Sequence, residues 1–369
     1  MINKLRIKGF KSINQAEVEL KSINVFIGAN GVGKSNFMLF FHLLNNIYEK
    51  RLEYYSMIKG ADKLLHFGPK NTDNIEGGIE FNHEKEYKFS LVPIDENKLN
   101  IKSELVSYND SIVDKVDYFE KGMSIDNFLG VSDKESLLKE KGMENSPIYS
   151  CIKNYFEDFK IYHFHDTTNN ASIRTPCSIN NNVRLMGDGG NIAAILYYLQ
   201  EKHNKHFQII ESIIKSTASY FGGFKLRPDR FNEERINLEW YEKNNPDFIF
   251  NVKQLSDGTL RFIALTTLLM QPSPPRVIII DEPELGLHPV AVYKLAGMIR
   301  SVSYNCQIIV ATQSVHLVSQ FDPNDVLTVD RVNFQTVFNR LNSEELDDWL
   351  SDFSLGDLWQ KNIIKGQPY

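Results

Sequence analysis

The chain changes its hydrophobic period three times within its first fifty residues. Ile2, Leu5, Ile7 and Phe10 are apolar in a mixed background and predict a strand over residues 2–10. Gly9 to Ser12 reads as a turn, and alternation from Ala16 to Leu20 predicts a second strand. Ile23, Val25, Phe26 and Ile27 then form a buried strand, a glycine-rich stretch follows, and Phe37 to Leu44 is apolar at helical length. Three short strands so early predict an antiparallel β-layer. Residues 37–59 read as one or two helices. Ile75 to Phe81 and Tyr87 to Val92 alternate as a hairpin, and Ile101 to Tyr108 continues that sheet. Residues 109–160 are polar, with Lys and Glu at helical spacing around Phe119, Phe128, Leu137 and Tyr155. They predict a helical insertion, without the sustained heptads of a long coiled coil.

Phe159 to His165 is a short aromatic strand, and Thr167 to Asp188 a loop rich in Asn, Thr and Gly. Asn191 to Gln200 and Phe207 to Tyr220 are amphipathic helices. Phe224 to Arg230, Ile236 to Tyr241 and Phe248 to Val252 are expected strands, and Ile263 to Met270 an apolar helix. Val277 to Ile280 is four branched residues in a row, the pattern of a strand buried on both faces. A helix to about Val302 and a buried strand from Gln307 to Ala311 follow. Beyond Thr312 the pattern predicts one more strand and a short helical tail.

Composition narrows the setting. The 369 residues suffice for more than one lobe, and 42 % hydrophobic with 24 % charged residues is ordinary for a soluble globular protein. Cys151, Cys177 and Cys306 are few, scattered and without metal spacing, which suits a reducing, cytoplasmic setting. The basic residues Lys4, Arg6, Lys8 and Lys11 lie among polar neighbours with no apolar core, so no secretory signal is expected, and no apolar run is long enough for a membrane span. The net charge of −6 does not call for nucleic acid, although Lys202 to His206 and Lys225 to Arg230 are local basic stretches.

The candidate chemistry begins between the third strand and its helix. Gly28-x-x-x-x-Gly33-Lys34-Ser35 is the phosphate-loop pattern. Glycines let successive N–H groups face a phosphate, the helix adds its positive end, Lys34 supplies a mobile charge, and Ser35 a hydroxyl for Mg²⁺. The bare pattern arises by chance in about one chain of this length in a hundred, and the flanking strand and helix make chance rarer still. The motif predicts binding of a nucleoside triphosphate. A second site element is the strand ending in Asp281-Glu282. The first acid suits the Mg²⁺ shell, the second an attacking water. The two motifs stand at opposite ends of the chain, so a large insertion separates them. Upstream of the acids, Leu255-Ser256-Asp257-Gly258-Thr259 caps a helix N-terminus, where a dipole favours an anion. Downstream come Glu284-Leu285-Gly286-Leu287-His288-Pro289 and a third loop, Thr312-Gln313-Ser314-Val315-His316.

This order, carried by Phe10-Lys11-Ser12, the loop from Gly28 to Asn36, the acids through Pro289 and Ala311 to Ser314, resembles the ABC-type ATPase superfamily in its RecF/SMC/OLD-like branch. His163 to Asp166 and Ser354 to Trp359 resemble a bacterial group of stand-alone RecF-like ATPases. The resemblance covers about 1–45 and 250–335. It implies an α/β fold: a phosphate-loop ABC-ATPase head with an antiparallel β-layer, a central mostly parallel sheet flanked by helices, and the helical insertion. The implied divisions are 1–108, 109–160, 161–250, 251–335 and a tail, 336–369.

The resemblance also implies an ATPase that uses ATP and Mg²⁺ in a head-to-tail homodimer, with higher oligomers open. Lys11, Ser12, Asn30, Gly31, Gly33, Lys34, Ser35 and Asn36 would bind nucleotide, and Ser35 and Asp281 the metal. Ser256, Asp257 and Gly258 would act on the partner's nucleotide, and Glu284 to His288 would link the two sites. Glu282 would be the general base. Gln313 stands where the family commonly has His, so slow turnover is expected. The glutamine loop that senses Mg²⁺ has no clear place; the turn at His66 to Gly68 and His165 are candidates. The implied role is a switch acting on DNA or on a separate nuclease or effector in bacterial repair or anti-phage defence. A transporter's nucleotide-binding subunit and a nucleotide sensor with little turnover are the alternatives.

Overall fold

Alternation along the first hundred residues becomes one antiparallel sheet. The computed structural model describes residues 1–82, 84–109, 111–117, 135–136, 138–141 and 147–367. The chain divides into two units. One holds Met1–Phe159, Asp322–Phe353 and Leu358–Tyr369, the other Lys160–Phe321 and Ser354–Asp357.

The first unit opens with β1 (Ile2–Phe10), β2 (Ile13–Glu19) and β3 (Ile23–Ile27). It continues with α1 (Lys34–Tyr48), α2 (Leu52–Lys59), α3 (Ala61–Leu64), β4 (Ile75–Phe81), β5 (Lys85–Ile94), β6 (Lys98–Tyr108) and β7 (Ser111–Asp117). The sheet order is β2-β1-β4-β5-β6-β7, every neighbour antiparallel. Leu5 sits opposite Val18 on one side and Ile79 on the other, and all three are buried. This is the expected β-layer, built from the first two strands; β3 pairs elsewhere. The stretch expected to be wholly helical, 109–160, begins with β7 instead. Its three β-branched residues, Ile112, Val113 and Val116, favour a strand, and the segment pairs antiparallel with β6. Helices α4 (Leu138–Lys141) and α5 (Pro147–Asp158) follow, and 118–134 and 142–146 lie outside the described residues.

Helix α1 carries Phe37, Phe40, Phe41 and Leu44 at i, i+3, i+4 and i+7, all buried. Phe40 meets Phe10 at 5.4 Å and Phe89 at 6.1 Å in the antiparallel sheet. Phe37 meets Phe26 of β3 at 4.4 Å and Phe338 at 5.2 Å. The helix is thereby held on two sides by aromatic side chains. Each such ring contributes about 1.5–3 kcal/mol.

The second unit begins within β8 (Phe159–Tyr162) and runs through β9 (Cys177–Ser178), α6 (Ile192–Lys202), α7 (Asn204–Lys215), β10 (Phe221–Phe224), β11 (Arg235–Ile236), β12 (Glu239–Glu242) and β13 (Asn245–Asn251). The strand expected at Phe224 to Arg230 lies earlier, in β10. Pro228 has no N–H for a ladder, and only an isolated bridge to Ile236 remains there. Then come α8 (Asp257–Met270), β14 (Val277–Asp281), α9 (Pro289–Val302), β15 (Gln307–Thr312) and α10 (Val315–Val318). β14 and β15 are parallel, with Asp281 opposite Ala311.

The chain returns to the first unit with β16 (Val326–Val332), β17 (Gln335–Arg340), α11 (Ser343–Leu350) and α12 (Leu355–Gln360), the last straddling the two units. Two strands stand where one was expected. Their two-residue turn is Asn333-Phe334, both at positive φ. Phe in that role carries none of the usual Asn-Gly signature. β16 lies parallel to β3, with Leu327 opposite Phe26. The result is the expected mixed α/β fold: an antiparallel layer, buried parallel strand pairs and flanking helices.

Candidate functional site

In the first unit the phosphate loop leaves β3 and enters α1 at Gly33, whose φ of 117° is open to glycine and few others. Lys34 is buried, and its ammonium donates to the carbonyls of Gly28 at 2.6 Å and Ala29 at 2.9 Å. Asn30, Gly31 and Ser35 are exposed, and a Cβ at Gly31 would meet nothing within 4 Å. That leaves open space above the crest of the loop, as an incoming anion requires. Asn36 donates to Ser12 Oγ at 2.7 Å.

Lys11 and Ser12 form the β1–β2 turn beside this loop. Lys11 has a φ of 51°, and its N–H donates to Leu64 O at 2.8 Å. Burial, helped by the charge of Lys59, lowers the pKa of its ammonium. His66 fixes the turn from the other side, its Nδ1 2.6 Å from Lys11 O. A carbonyl only accepts, so His66 carries a proton on Nδ1.

In the second unit β14 delivers Asp281 and Glu282 to its carboxyl end. Glu282 has a φ of 42° and its N–H bonds Ala311 O at 2.8 Å. Gln313, just past β15, donates its side-chain amide to Glu282 Oε1. Glu284 Oε1 accepts from Thr312 Oγ1 at 2.6 Å and from Gln313 N at 3.2 Å. Burial pushes the Glu284 carboxyl above the usual range. The acids and the Thr-Gln-Ser loop are therefore one hydrogen-bonded cluster. His316 is exposed, one turn beyond it on α10.

The helix-capping motif lies in the same unit. Ser256 Oγ accepts Thr259 N at 3.2 Å as the cap of α8, and Ser256 and Asp257 are exposed. A Cβ on Gly258 would lie 2.3 Å from Gly286 O, so this motif and the Glu284 to His288 loop touch backbone to backbone. Leu285 and His288 are exposed, Leu287 half-buried, and His288 Nδ1 caps α9 by accepting Val290 N.

Two arginines that sequence reasoning passed over hold this arrangement. Arg174 is buried and donates to Thr167 O at 2.7 Å, Val252 O at 2.7 Å, Leu255 O at 3.1 Å and Asp257 Oδ1 at 2.7 Å. Its hydrogen bond, with that of Thr167, holds the Asp257 carboxyl below the usual range. Arg261 donates to Phe164 O at 3.1 Å, His165 O at 2.7 Å and Leu285 O at 3.1 Å. One charge within the apolar run after Leu260 was its only sequence signal. His165, one of the candidates for the Mg²⁺-sensing position, has its Nε2 2.8 Å from Asp281 O and donates to it. Burial lowers the pKa of His163 beside it.

Residues 23–319 match the family model described as "AAA domain, putative AbiEii toxin, Type IV TA system". None of the curated proteins matches the chain. Among solved structures, an Smc head bound to the C-terminal winged-helix domain of ScpA aligns over 94 % of this chain and 99 % of its own, with a TM-score of 0.61 and 16 % identity. The Smc head domain with an extended coiled coil, bound to the C-terminal domain of ScpA derived from Pyrococcus furiosus, aligns over 95 % and 99 %, with a TM-score of 0.53 and 14 % identity. At such identities the likeness is one of fold.

Proposed function

Because the chain belongs to the AAA-domain family of that model and carries the head fold of the SMC-like branch of ABC-type ATPases, we propose that it is an ATP-hydrolysing switch that dimerises head to tail around ATP. The observation that carries this reading is the bond from Gln313 to Glu282 at the end of β14. A carboxylate held by a neutral amide at a strand end is free to take a proton from water, a role typically worth about 10²–10⁴-fold.

Lys34 supplies the charge for the β and γ phosphates. Ser35 and Asp281 are oxygen donors of the kind Mg²⁺ takes. Mg²⁺, when bound, neutralises charge on the phosphate oxygens. Glu282 accepts the proton of the attacking water, and Gln313 orients Glu282. Ser256, Asp257 and Gly258 serve the partner's nucleotide. Supporting this, Ser256 and Asp257 are exposed, as are Leu285, next to the Gly286 that meets Gly258, and Val290 and Tyr293 of α9, at 42 %, 47 % and 62 %. Such residues suit a surface that a second copy covers only part of the time.

The setting we propose is cytoplasmic. Among the described residues no helix is long and apolar enough to cross a membrane. The family's description names a toxin of a toxin–antitoxin system, which favours a bacterial defence role through DNA or a separate effector. Gln313 also supports a second reading, a nucleotide sensor of slow turnover, since an amide cannot assist by changing charge.

The test is ATP turnover and oligomeric state for native protein, Lys34→Ala and Glu282→Gln, with and without duplex DNA at low salt. Lys34→Ala should lose nucleotide. Glu282→Gln should retain ATP and accumulate as dimer by light scattering. An ATP-loaded Glu282→Gln protein that stays monomeric contradicts the head-to-tail model, and turnover indifferent to DNA, with no DNA affinity, contradicts a DNA role.

A further inference from the structure

The β16–β17 hairpin meets the phosphate loop at both of its framing glycines. A Cβ on Gly28 would lie 2.4 Å from Val329 O of β16, and one on Gly33 2.1 Å from Thr336 Oγ1 of β17. Thr336 is 1 % exposed. Its N–H donates to Ser12 O at 2.8 Å. Its hydroxyl lies 2.7 Å from Val32 O, a residue 304 positions away, and 2.7 Å from Ser12 Oγ. Ser12 Oγ lies 2.7 Å from Asn36 Nδ2.

Chemistry assigns every proton in this chain of contacts. The Val32 carbonyl only accepts, so Thr336 spends its single O–H there. Thr336 Oγ1 then accepts from Ser12, which spends its own O–H. The Asn36 amide nitrogen only donates, so Ser12 Oγ accepts from it. The sequence runs one way, from Asn36 to Ser12 to Thr336 to the Val32 carbonyl. Neither hydroxyl keeps a proton for a phosphate oxygen.

We infer that Thr336 is a positioning residue of the phosphate loop, holding the Val32–Gly33 peptide through a relay in which Ser12 is a strut and not a nucleotide ligand. The inference rests on the phosphate-loop reading above and revises one residue of it. The relay ties the first turn of α1, the β1–β2 turn and the C-terminal hairpin to one peptide of the loop. The loop's N–H groups face a triphosphate only while that peptide keeps its orientation, and a carbonyl deprived of its buried donor has reason to turn.

Thr336→Val removes the hydroxyl and keeps the branching; Thr336→Ser keeps the hydroxyl. With a fluorescent ATP analogue as probe, Thr336→Val should weaken binding by about 5- to 30-fold, the scale of one lost buried hydrogen bond and its orphaned partner. Thr336→Ser should stay within about twofold, a rescue that a loss of general packing would not show. Ser12→Ala should weaken binding by itself and add little on the Thr336→Val background, because both break one relay. Native affinity in Thr336→Val, with Lys34→Ala unable to bind, overturns the positioning role alone. Native affinity in Lys34→Ala overturns the nucleotide reading itself. Should Thr336→Val not fold, Ser12→Ala in its half-buried turn decides the matter, and native affinity there counts against the relay.

Discussion

Gln313 donates its side-chain amide to Glu282 across the carboxyl ends of the parallel strands β14 and β15. The bond spans two adjacent loops and helps to hold Glu282 at a φ that non-glycine residues seldom adopt. If Glu282 is the base, Gln313 fixes its direction without ever sharing its charge. Gln313→Ala is expected to lower turnover by about 10- to 100-fold, the usual cost of losing a group that orients a working carboxylate. ATP affinity should change by less than about threefold. Gln313→His should introduce a titration near pH 6.5 that the native protein lacks. A pH–rate profile of the three proteins decides it. A native profile that already titrates there, and persists in Gln313→Ala, assigns the titration to another group.

Arg174 acts within the same unit. Three of its bonds go to buried or half-buried backbone carbonyls and one to the exposed carboxylate of Asp257. The carbonyls dominate, because a pair with an exposed carboxylate contributes about 0–1 kcal/mol, whereas orphaned acceptors cost about 1–3 kcal/mol each. Arg174→Met should therefore destabilise by about 3 kcal/mol or more, and Asp257→Asn by less than about 1 kcal/mol. Arg174→Lys should recover little, since a point charge does not reproduce the fork. Urea unfolding of the three variants measures the order; equal losses in Arg174→Met and Asp257→Asn would place the energy in the ion pair instead.

What was legible in the sequence was whatever the chain encodes within about ten residues. β3, its glycine loop and α1 are contiguous, and β14 announces itself through four branched residues ending in acids. The same holds for the cap at Ser256. Thr336, Arg174 and Arg261 left no comparable trace. Most of their partners lie far along the chain, and a single Thr or Arg has no period. The β16–β17 turn was missed because Asn333-Phe334 lacks a glycine, and β7 because its polar residues match a helix face as well as a strand edge. Local pattern thus brought out the phosphate-loop and strand-end acid motifs, while Thr336, Arg174 and Arg261 emerged only with long-range contacts.

Gly258 packs its bare α-carbon against the Gly286 carbonyl, and Gly286 itself sits at a φ of 72°. Gly258→Ala would place a methyl group 2.3 Å from a backbone oxygen, so one of the two loops must move. Overpacking of this kind costs about 1–3 kcal/mol. The functional effect is expected to be larger than the loss of stability. ATP should still bind the isolated protomer, because Lys34 belongs to a different segment. If the head-to-tail reading holds, the dimer expected of a Glu282→Gln background should no longer accumulate. Light scattering together with nucleotide retention separates these effects, and a Gly258→Ala protein that dimerises like its parent would remove this motif from the interface.

Asp330 offers a pH test independent of nucleotide. It is buried in β16; Oδ1 accepts Gly366 N at 2.9 Å, and Oδ2 has no hydrogen-bond partner among the described residues. A Cβ on Gly366 would lie 3.5 Å from Ile27 O, so this bond ties the C-terminal segment to the end of β3 beneath the phosphate loop. Burial raises the Asp330 pKa above its ordinary 3.8. Between that ordinary value and the raised one, the folded chain binds more protons than the unfolded chain, so this group makes stability fall as pH rises. Its contribution is fully present below the unfolded value and is lost as pH passes the folded value. Carboxylates with lowered pKa, such as Glu17 beside Lys4 and Arg6, act with the opposite sign. Asp330→Asn removes only the first kind. The stability of native protein minus that of the variant should therefore decline with rising pH through the acid range and level off above it. Urea midpoints from about pH 3.5 to 7 give the difference curve, and a flat curve would mean that Asp330 reaches a partner or solvent that keeps its charge.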